Sequence, residues 1–227
     1  KKLARYAGDR GIELMGLHWL LRAPEGLHLT SREPAVLKKT LDFFKKLIEI
    51  SVNTGAKVLT LGSPQQRSYS AEDTKPEATE RAVELFGKLT PELESEGLYL
   101  CLEPLESDFT NFITRTSEAV QIAETLGSPS IGITLDTHFL RWEKEEHGVD
   151  ALQAFRVAGA RLLHLHIQDE NRRAPGMGHD DFREFIHAVR EIGWKRYISM
   201  ETFVSDDEQE AEEIARKGIR FLKKTFD

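Results

Sequence analysis

Residues 131–136 read Ile131-Gly132-Ile133-Thr134-Leu135-Asp136, and the fold follows from them. Successive residues of a strand point to opposite faces. Ile131, Ile133 and Leu135 therefore share one face, and Gly132, Thr134 and Asp136 share the other. Three other stretches alternate in the same way. In Leu98-Tyr99-Leu100-Cys101-Leu102-Glu103, the leucines oppose Tyr99, Cys101 and Glu103. In Leu162-Leu163-His164-Leu165-His166, Leu163 and Leu165 oppose His164 and His166. In Ile198-Ser199-Met200-Glu201, Ile198 and Met200 oppose Ser199 and Glu201. Four successive strands thus carry an ionisable residue near the C-terminal end, opposite the most aliphatic face. In a (β/α)8 barrel the aliphatic face meets the helices, the other face lines the barrel, and active sites sit at the strand C-termini.

The same period extends along the whole chain. Six β-like runs are expected, Ile12–Leu21, Ala56–Gly62, Leu98–Leu105, Ile131–Phe139, Arg161–Gln168 and Tyr197–Val204. Their starts are 44, 42, 33, 30 and 36 residues apart. Between them lie helical patterns. Pro34–Ile50 places Leu37, Leu41, Phe44, Leu47 and Ile48 on one face, as an amphipathic helix does. Thr74–Leu93, Thr116–Leu126, Gly148–Ala158, Asp181–Ile192 and Asp207–Lys224 continue the theme. Gly55, Gly97, Gly127 and Gly193 stand before the next strand, where a helix stop favours positive φ. This alternation predicts right-handed βαβ units and a parallel sheet. An open doubly wound sheet competes, but neither Gly-x-Gly-x-x-Gly nor a phosphate-binding Gly-x-x-x-x-Gly-Lys-[Ser/Thr] occurs, so its nucleotide fingerprints are missing.

The expected fold class is therefore α/β, a (β/α)8 TIM barrel. A barrel of this kind typically needs eight strands and about 250 residues. Here six strands fall in 227 residues, and the chain opens on a helix-like stretch, Lys2–Arg10. The expectation is a single TIM-barrel-type domain over residues 1–227, lacking its first one or two βα units. No linker or low-complexity segment marks a domain boundary.

Composition narrows the function classes. Hydrophobic residues are 40% and charged residues 30% of the chain, enough to bury a core and too ordered a mix for a disordered chain. A net charge of -7 argues against a nucleic-acid or polybasic membrane-surface partner. The apolar runs are too short to span a bilayer. Cys101 is the only cysteine, which rules out an internal disulfide and a thiolate zinc cage and suits a cytoplasmic location.

Glu103, Asp136, His166 and Glu201 are the candidate site. Three carboxylates and an imidazole suit one divalent ion, with Mn²⁺, Mg²⁺ or Co²⁺ ahead of Zn²⁺. Such a cluster in a low-dielectric mouth needs a cation to offset its own repulsion. His164, one layer deeper, reads as a core histidine, and Cys101 as packing. His18, beside Trp19, is a weaker site candidate. His28, His147 and His187 read as surface or helix residues. Residues 206–213 read as the acidic start of a helix.

LEPLESDF at 102–109, LDTHF at 135–139, LHLHIQDENRRAPGMGHDDF at 163–182 and METF at 200–203 resemble motifs of the xylose-isomerase-like barrel superfamily. Within it they are most similar to the branch of D-tagatose 3-epimerase and the D-psicose epimerases. The resemblance runs in order over about residues 2–224 and matches the visible strands to the third through eighth of the barrel. It implies a metal held by Glu103, Asp136, His166 and Glu201, with the two glutamates as the acid/base pair and Arg172 as a substrate-holding residue. Two positions depart from the pattern. Phe109 stands where the epimerases usually have a further Glu, with Glu106 and Asp108 nearby. Phe139 stands where they have a substrate-contacting His, and His138 lies one residue earlier. On an extended strand His138 would share a face with Asp136 and also reach substrate.

The implied activity is a metal-dependent ketose epimerase or isomerase that moves a proton next to a carbonyl through an enediolate. The implied partner is a small sugar or sugar-derived molecule, and a homo-oligomer is compatible with this. Alternatives within the superfamily are a hydroxypyruvate or sugar-phosphate isomerase and a cyclitol dehydratase. The apurinic endonuclease branch would need a His-rich multi-zinc cluster and a basic DNA face. A non-catalytic fragment or binding module is the alternative of a different class.

Overall fold

The structure is a computed structural model that describes residues 2–203 and 206–226. Its contacts divide the chain into two compact units, one ending at Ile133 and the other beginning at Thr134.

The first unit opens with helix α1 (Lys2–Gly8) and strand β1 (Gly16–His18). Helix α2 (Pro34–Thr54) starts on a proline and buries Thr40, Phe44, Leu47, Ile48 and Ser51. It stops at Gly55, whose φ of 83° only glycine adopts without strain. Strand β2 (Val58–Leu61) follows, then α3 (Lys75–Gly87), α4 (Thr90–Glu96), β3 (Tyr99–Leu102) and α5 (Thr116–Leu126). The fourth strand, β4 (Ile131–Asp136), crosses the boundary between the units. β1 pairs with β2, β2 with β3, and β3 with Ile131–Ile133, all parallel. The strands β2 and β4 are buried at every position, as parallel strands covered on both faces are. Phe44 of α2 meets Phe86 of α3 edge-on, with ring centroids 6.3 Å apart.

The second unit holds α6 (Thr137–His147), α7 (Ala151–Ala158), a single 3₁₀ turn at Gly159–Arg161 and strand β5 (Leu162–Ile167). Helix α8 (Arg183–Glu191), strand β6 (Ile198–Met200) and helix α9 (Glu208–Phe226) complete it. β5 and β6 pair in parallel, His166 opposite Ser199. Phe155 of α7 meets Phe185 of α8 edge-on at 5.9 Å.

Six parallel strands are thus present among the described residues, one inside each expected run, with the first and last reduced to Gly16–His18 and Ile198–Met200. Val204, at the end of the sixth expected run, lies outside the described residues. Three expectations are corrected. The run Ile131–Phe139 is strand only to Asp136. Thr137 begins α6, because the Asp136 side chain accepts the His138 N–H and caps the helix. His138 therefore sits in the first turn of a helix, and the strand argument for its facing the Asp136 side does not apply. The stretch Thr74–Leu93 is two helices, with Thr74 and Glu77 forming a capping box before α3 and Pro91 restarting the chain in α4. The stretch Gly148–Ala158 is helical only from Ala151, because Asp150 and Gln153 form a second capping box. No helix among the described residues is long and apolar enough to cross a membrane.

Candidate functional site

The residues singled out in the sequence fall into two groups, one in each unit. In the first unit Glu103 directly follows β3 and is 2% exposed. Its backbone N–H donates to Leu61 O at 3.4 Å, and its carbonyl accepts Arg67 Nη1 at 2.7 Å. Its Oε2 lies 3.2 Å from His18 Nε2, at the end of β1. Gly62, just past β2, makes room for this pair. A Cβ there would collide with Glu103 Oε2 and stand 2.7 Å from His18 Nε2.

Arg67 is wholly buried. Burial pulls its guanidinium down to about 10, against the opposing pull of Glu103 and Glu106. It therefore stays charged at neutral pH, with its Nε and Nη2 lacking hydrogen-bond partners. The segment around it links three loops. Leu29 N donates to Gln66 O at 2.7 Å, and Thr30 Oγ1 donates to Arg67 O at 3.1 Å. Ser68 and Thr110 share a hydrogen bond of 2.9 Å. Asn111 exchanges two hydrogen bonds with the Tyr69 backbone, at 2.9 and 2.8 Å.

In the second unit Asp136 is the last residue of β4 and 3% exposed. Its Oδ1 accepts the His138 N–H at 2.7 Å, and its Oδ2 accepts Gln168 Nε2 at 2.9 Å. The other end of the Gln168 amide accepts Arg172 Nη1 at 3.2 Å. Asp136, Gln168 and Arg172 are thus one chain of hydrogen bonds. The Arg172 guanidinium also lies 5.9 Å from the centroid of the Phe203 ring, within cation–π range. His166, on β5 and 4% exposed, places Nδ1 2.9 Å from Glu201 Oε2, just past β6. His164 is buried, as expected of a core histidine, with Nε2 3.0 Å from Ser199 Oγ.

The loop after β5 has its own organiser. Asp169 is fully buried, and its two oxygens accept the backbone N–H groups of Glu170, Gly176, Gly178 and Asp180 at 2.8–3.1 Å. Burial alone would raise its carboxyl. Hydrogen bonds with Glu170 and with the N–H groups of Asp180, Gly178 and Gly176 outweigh that and hold it below the usual range. Asp169, Glu170 and Asp180 cluster closely enough to bind a cation. However, the Asp169 oxygens are engaged with backbone, and Asp180 is paired with Arg141. The cluster therefore serves to shape the loop.

Sequence reasoning marked Glu103, Asp136, His138, His166, Arg172 and Glu201. It passed over Gln168, Gly62 and Arg67 and set His18 low. Gln168 could have been found by parity. It stands two residues after His166, as His166 stands two after His164.

A chain of parallel βα units with carboxylates and imidazoles at its strand ends has the layout of the α/β barrels, the class whose active sites sit at those ends. The particular family is the xylose isomerase-like TIM barrel family, whose profile matches residues 1–225, and the chain belongs to it. Among curated proteins it is 27% identical over 209 residues to the D-psicose 3-epimerase of Enterocloster bolteae, covering 89% of this chain and 66% of that one. It is 22% identical over 208 residues to the L-ribulose 3-epimerase of Mesorhizobium japonicum, covering 90% and 66%. The chain spans 60–66% of the length of such relatives. Among solved structures it resembles the D-psicose 3-epimerase of Clostridium cellulolyticum H10 with D-tagatose. The TM-score is 0.83 at 23% identity, over 100% of this chain and 83% of that one.

Proposed function

We propose that this chain carries the active site of a metal-dependent ketose 3-epimerase, with Glu103, Asp136, His166 and Glu201 holding one divalent ion. The observation that carries the reading is the burial of carboxylates at strand ends. Glu103 and Asp136 are 2% and 3% exposed, and gathering buried carboxylates at strand ends is costly unless a cation shares in offsetting their charge. The donor set fits the ion. Three carboxylates and one imidazole are hard to borderline ligands, which favours Mn²⁺, Mg²⁺ or Co²⁺ and admits Zn²⁺. The epimerase names of the relatives support the same reading.

When bound, such an ion would offset the charge that develops on the substrate carbonyl oxygen. The protein's own groups would move the proton. Glu103 and Glu201 would each serve one face of the carbon beside the carbonyl, one removing the proton and the other returning it, which inverts the centre. Arg172, braced by Gln168 and laid against Phe203, would hold substrate hydroxyls. His138 would do the same from the first turn of α6.

The test is turnover of D-fructose, D-psicose, D-tagatose and L-ribulose in D₂O, with Mn²⁺, Co²⁺ or Mg²⁺ added. C3 epimerisation with one solvent deuterium per turnover is expected. Glu201→Gln is expected to abolish epimerisation while keeping metal, because an amide oxygen still coordinates. It should also retain exchange at the face Glu103 serves. No epimerised ketose with any ion, or product free of deuterium, would overturn the proposal. Turnover confined to hydroxypyruvate or phosphorylated ketoses would assign the chain to another branch of the family.

A further inference from the structure

The His18–Glu103 contact spans an unusual gap. β1 and β3 are not neighbours; β2 lies between them. Two strand spacings separate their backbones by about 9.6 Å, yet His18 Nε2 and Glu103 Oε2 are 3.2 Å apart. The two side chains also start at different levels. His18 is in register with Thr60, and Thr60 with Cys101, so Glu103 begins two residues further along. The pair meets over Gly62, where an added Cβ would collide with both side chains. The imidazole is 29% exposed and the carboxylate 2%. With the carboxylate ionised it only accepts hydrogen bonds, and Nε2–H is then the donor to Oε2. Arg67 meanwhile holds the Glu103 carbonyl at 2.7 Å. Glu103 is therefore gripped at its backbone and at one carboxylate oxygen.

We infer that His18 is a positioning residue for Glu103, setting its rotamer and the tilt of its carboxylate, with Gly62 as the clearance that lets it do so. This rests on the reading of Glu103 as a proton-transferring group. His18 stands outside the four ligands proposed above, and loss of Mn²⁺ in step with kcat would place it among them instead.

The experiment compares the wild type with His18→Phe, His18→Gln and Gly62→Ala. Three quantities are measured: Mn²⁺ affinity by titration, kcat and KM for D-fructose, and the deuterium isotope effect on kcat for each C3-deuterated epimer. For His18→Phe, kcat is expected to fall about 10- to 100-fold, with KM and Mn²⁺ affinity changed by less than about threefold. His18→Gln, which keeps an N–H donor, should recover much of that loss, and Gly62→Ala should resemble His18→Phe. The isotope effect should rise only for the epimer whose proton Glu103 removes. Unchanged kcat in His18→Phe, isotope effects that rise alike for both epimers, or loss of Mn²⁺ in step with kcat would each overturn the inference. A wild type inactive on every ketose would refute the proposed reaction instead. The inference would then be decided by crystal structures of the Mn²⁺-soaked proteins. One Glu103 rotamer in the wild type and His18→Gln, but a changed rotamer in His18→Phe, supports it. An unchanged rotamer in His18→Phe overturns it.

Discussion

Gln168 gives one amide hydrogen to Asp136 Oδ2 and offers its oxygen to Arg172 Nη1, so the end of β4 and the loop after β5 are fastened by one side chain. Gln168→Glu swaps that donor for a second buried anion facing Asp136, and is expected to cost roughly 3–5 kcal/mol in urea unfolding. Gln168→Met loses the hydrogen bonds without adding charge and is expected to cost about 1–3 kcal/mol. His28 gives a pH effect of definite sign. Burial, and secondarily the Arg81 charge, lower its pKa from 6.5 against a hydrogen bond from its ring to the Gln65 backbone. The unfolded chain therefore binds this proton more readily than the folded one. Stability contributed by neutral His28 is present above 6.5 and lost as pH falls from there through the lower folded value. His28→Gln is expected to flatten that part of the stability profile, measured by urea midpoints between pH 5 and 7. At this scale the placing of Glu103, Asp136, His166 and Glu201 at or near strand ends was legible, because strand parity is a local property. Gln168, Arg67 and Gly62 were not, because their roles come from contacts with residues 32, 36 and 41 positions away.

Most helices follow from apolar spacing and their caps. α2, α5 and α9 lie within a few residues of where the periodicity places them. Two of the misses share one cause, a short polar side chain beside a helix start that overrides the pattern around it, whereas the split of residues 74–93 falls at Pro91, where no side chain caps the second helix. Asp136 closes β4 and caps α6 with no intervening loop, so a strand reading carried on to Phe139 crosses into helix. Asp150 does the same for α7. The value of such a cap can be measured at Thr74, where side chain and backbone exchange hydrogen bonds with Glu77. Thr74→Ala is expected to cost about 1 kcal/mol. Gly55→Ala probes the other end of a helix. No atom lies within 4 Å of the added Cβ, so its cost is conformational alone, about 1–2 kcal/mol for a residue forced to positive φ. Chemical denaturation of the two variants checks both figures.

On the scale of the whole chain, the proposed ligands are contributed after β3, at the end of β4, within β5 and after β6. An ion that needs all of them binds only the folded protein, so it should stabilise the fold by mass action. With free Mn²⁺ at about 100 times its dissociation constant, the gain is about 2.7 kcal/mol. For a chain of this size that is a rise in thermal midpoint of about 5–10 °C, reversed by a chelator and absent in Asp136→Ala. A midpoint indifferent to Mn²⁺, Co²⁺, Mg²⁺ and Zn²⁺ alike would remove the metal from the proposal. The Asp169 loop, by contrast, needs nothing added. Turns that converge several N–H groups on one point usually await a visiting anion, a phosphate for instance. Here the anion is covalently part of the chain and never leaves. The segment from 169 to 182 is therefore centred on its own carboxylate, and it is tied to its surroundings at Arg172 and Asp180. The contour at its centre rests on hydrogen bonds to a resident carboxylate, so it should persist whether the neighbouring strand ends are empty or filled.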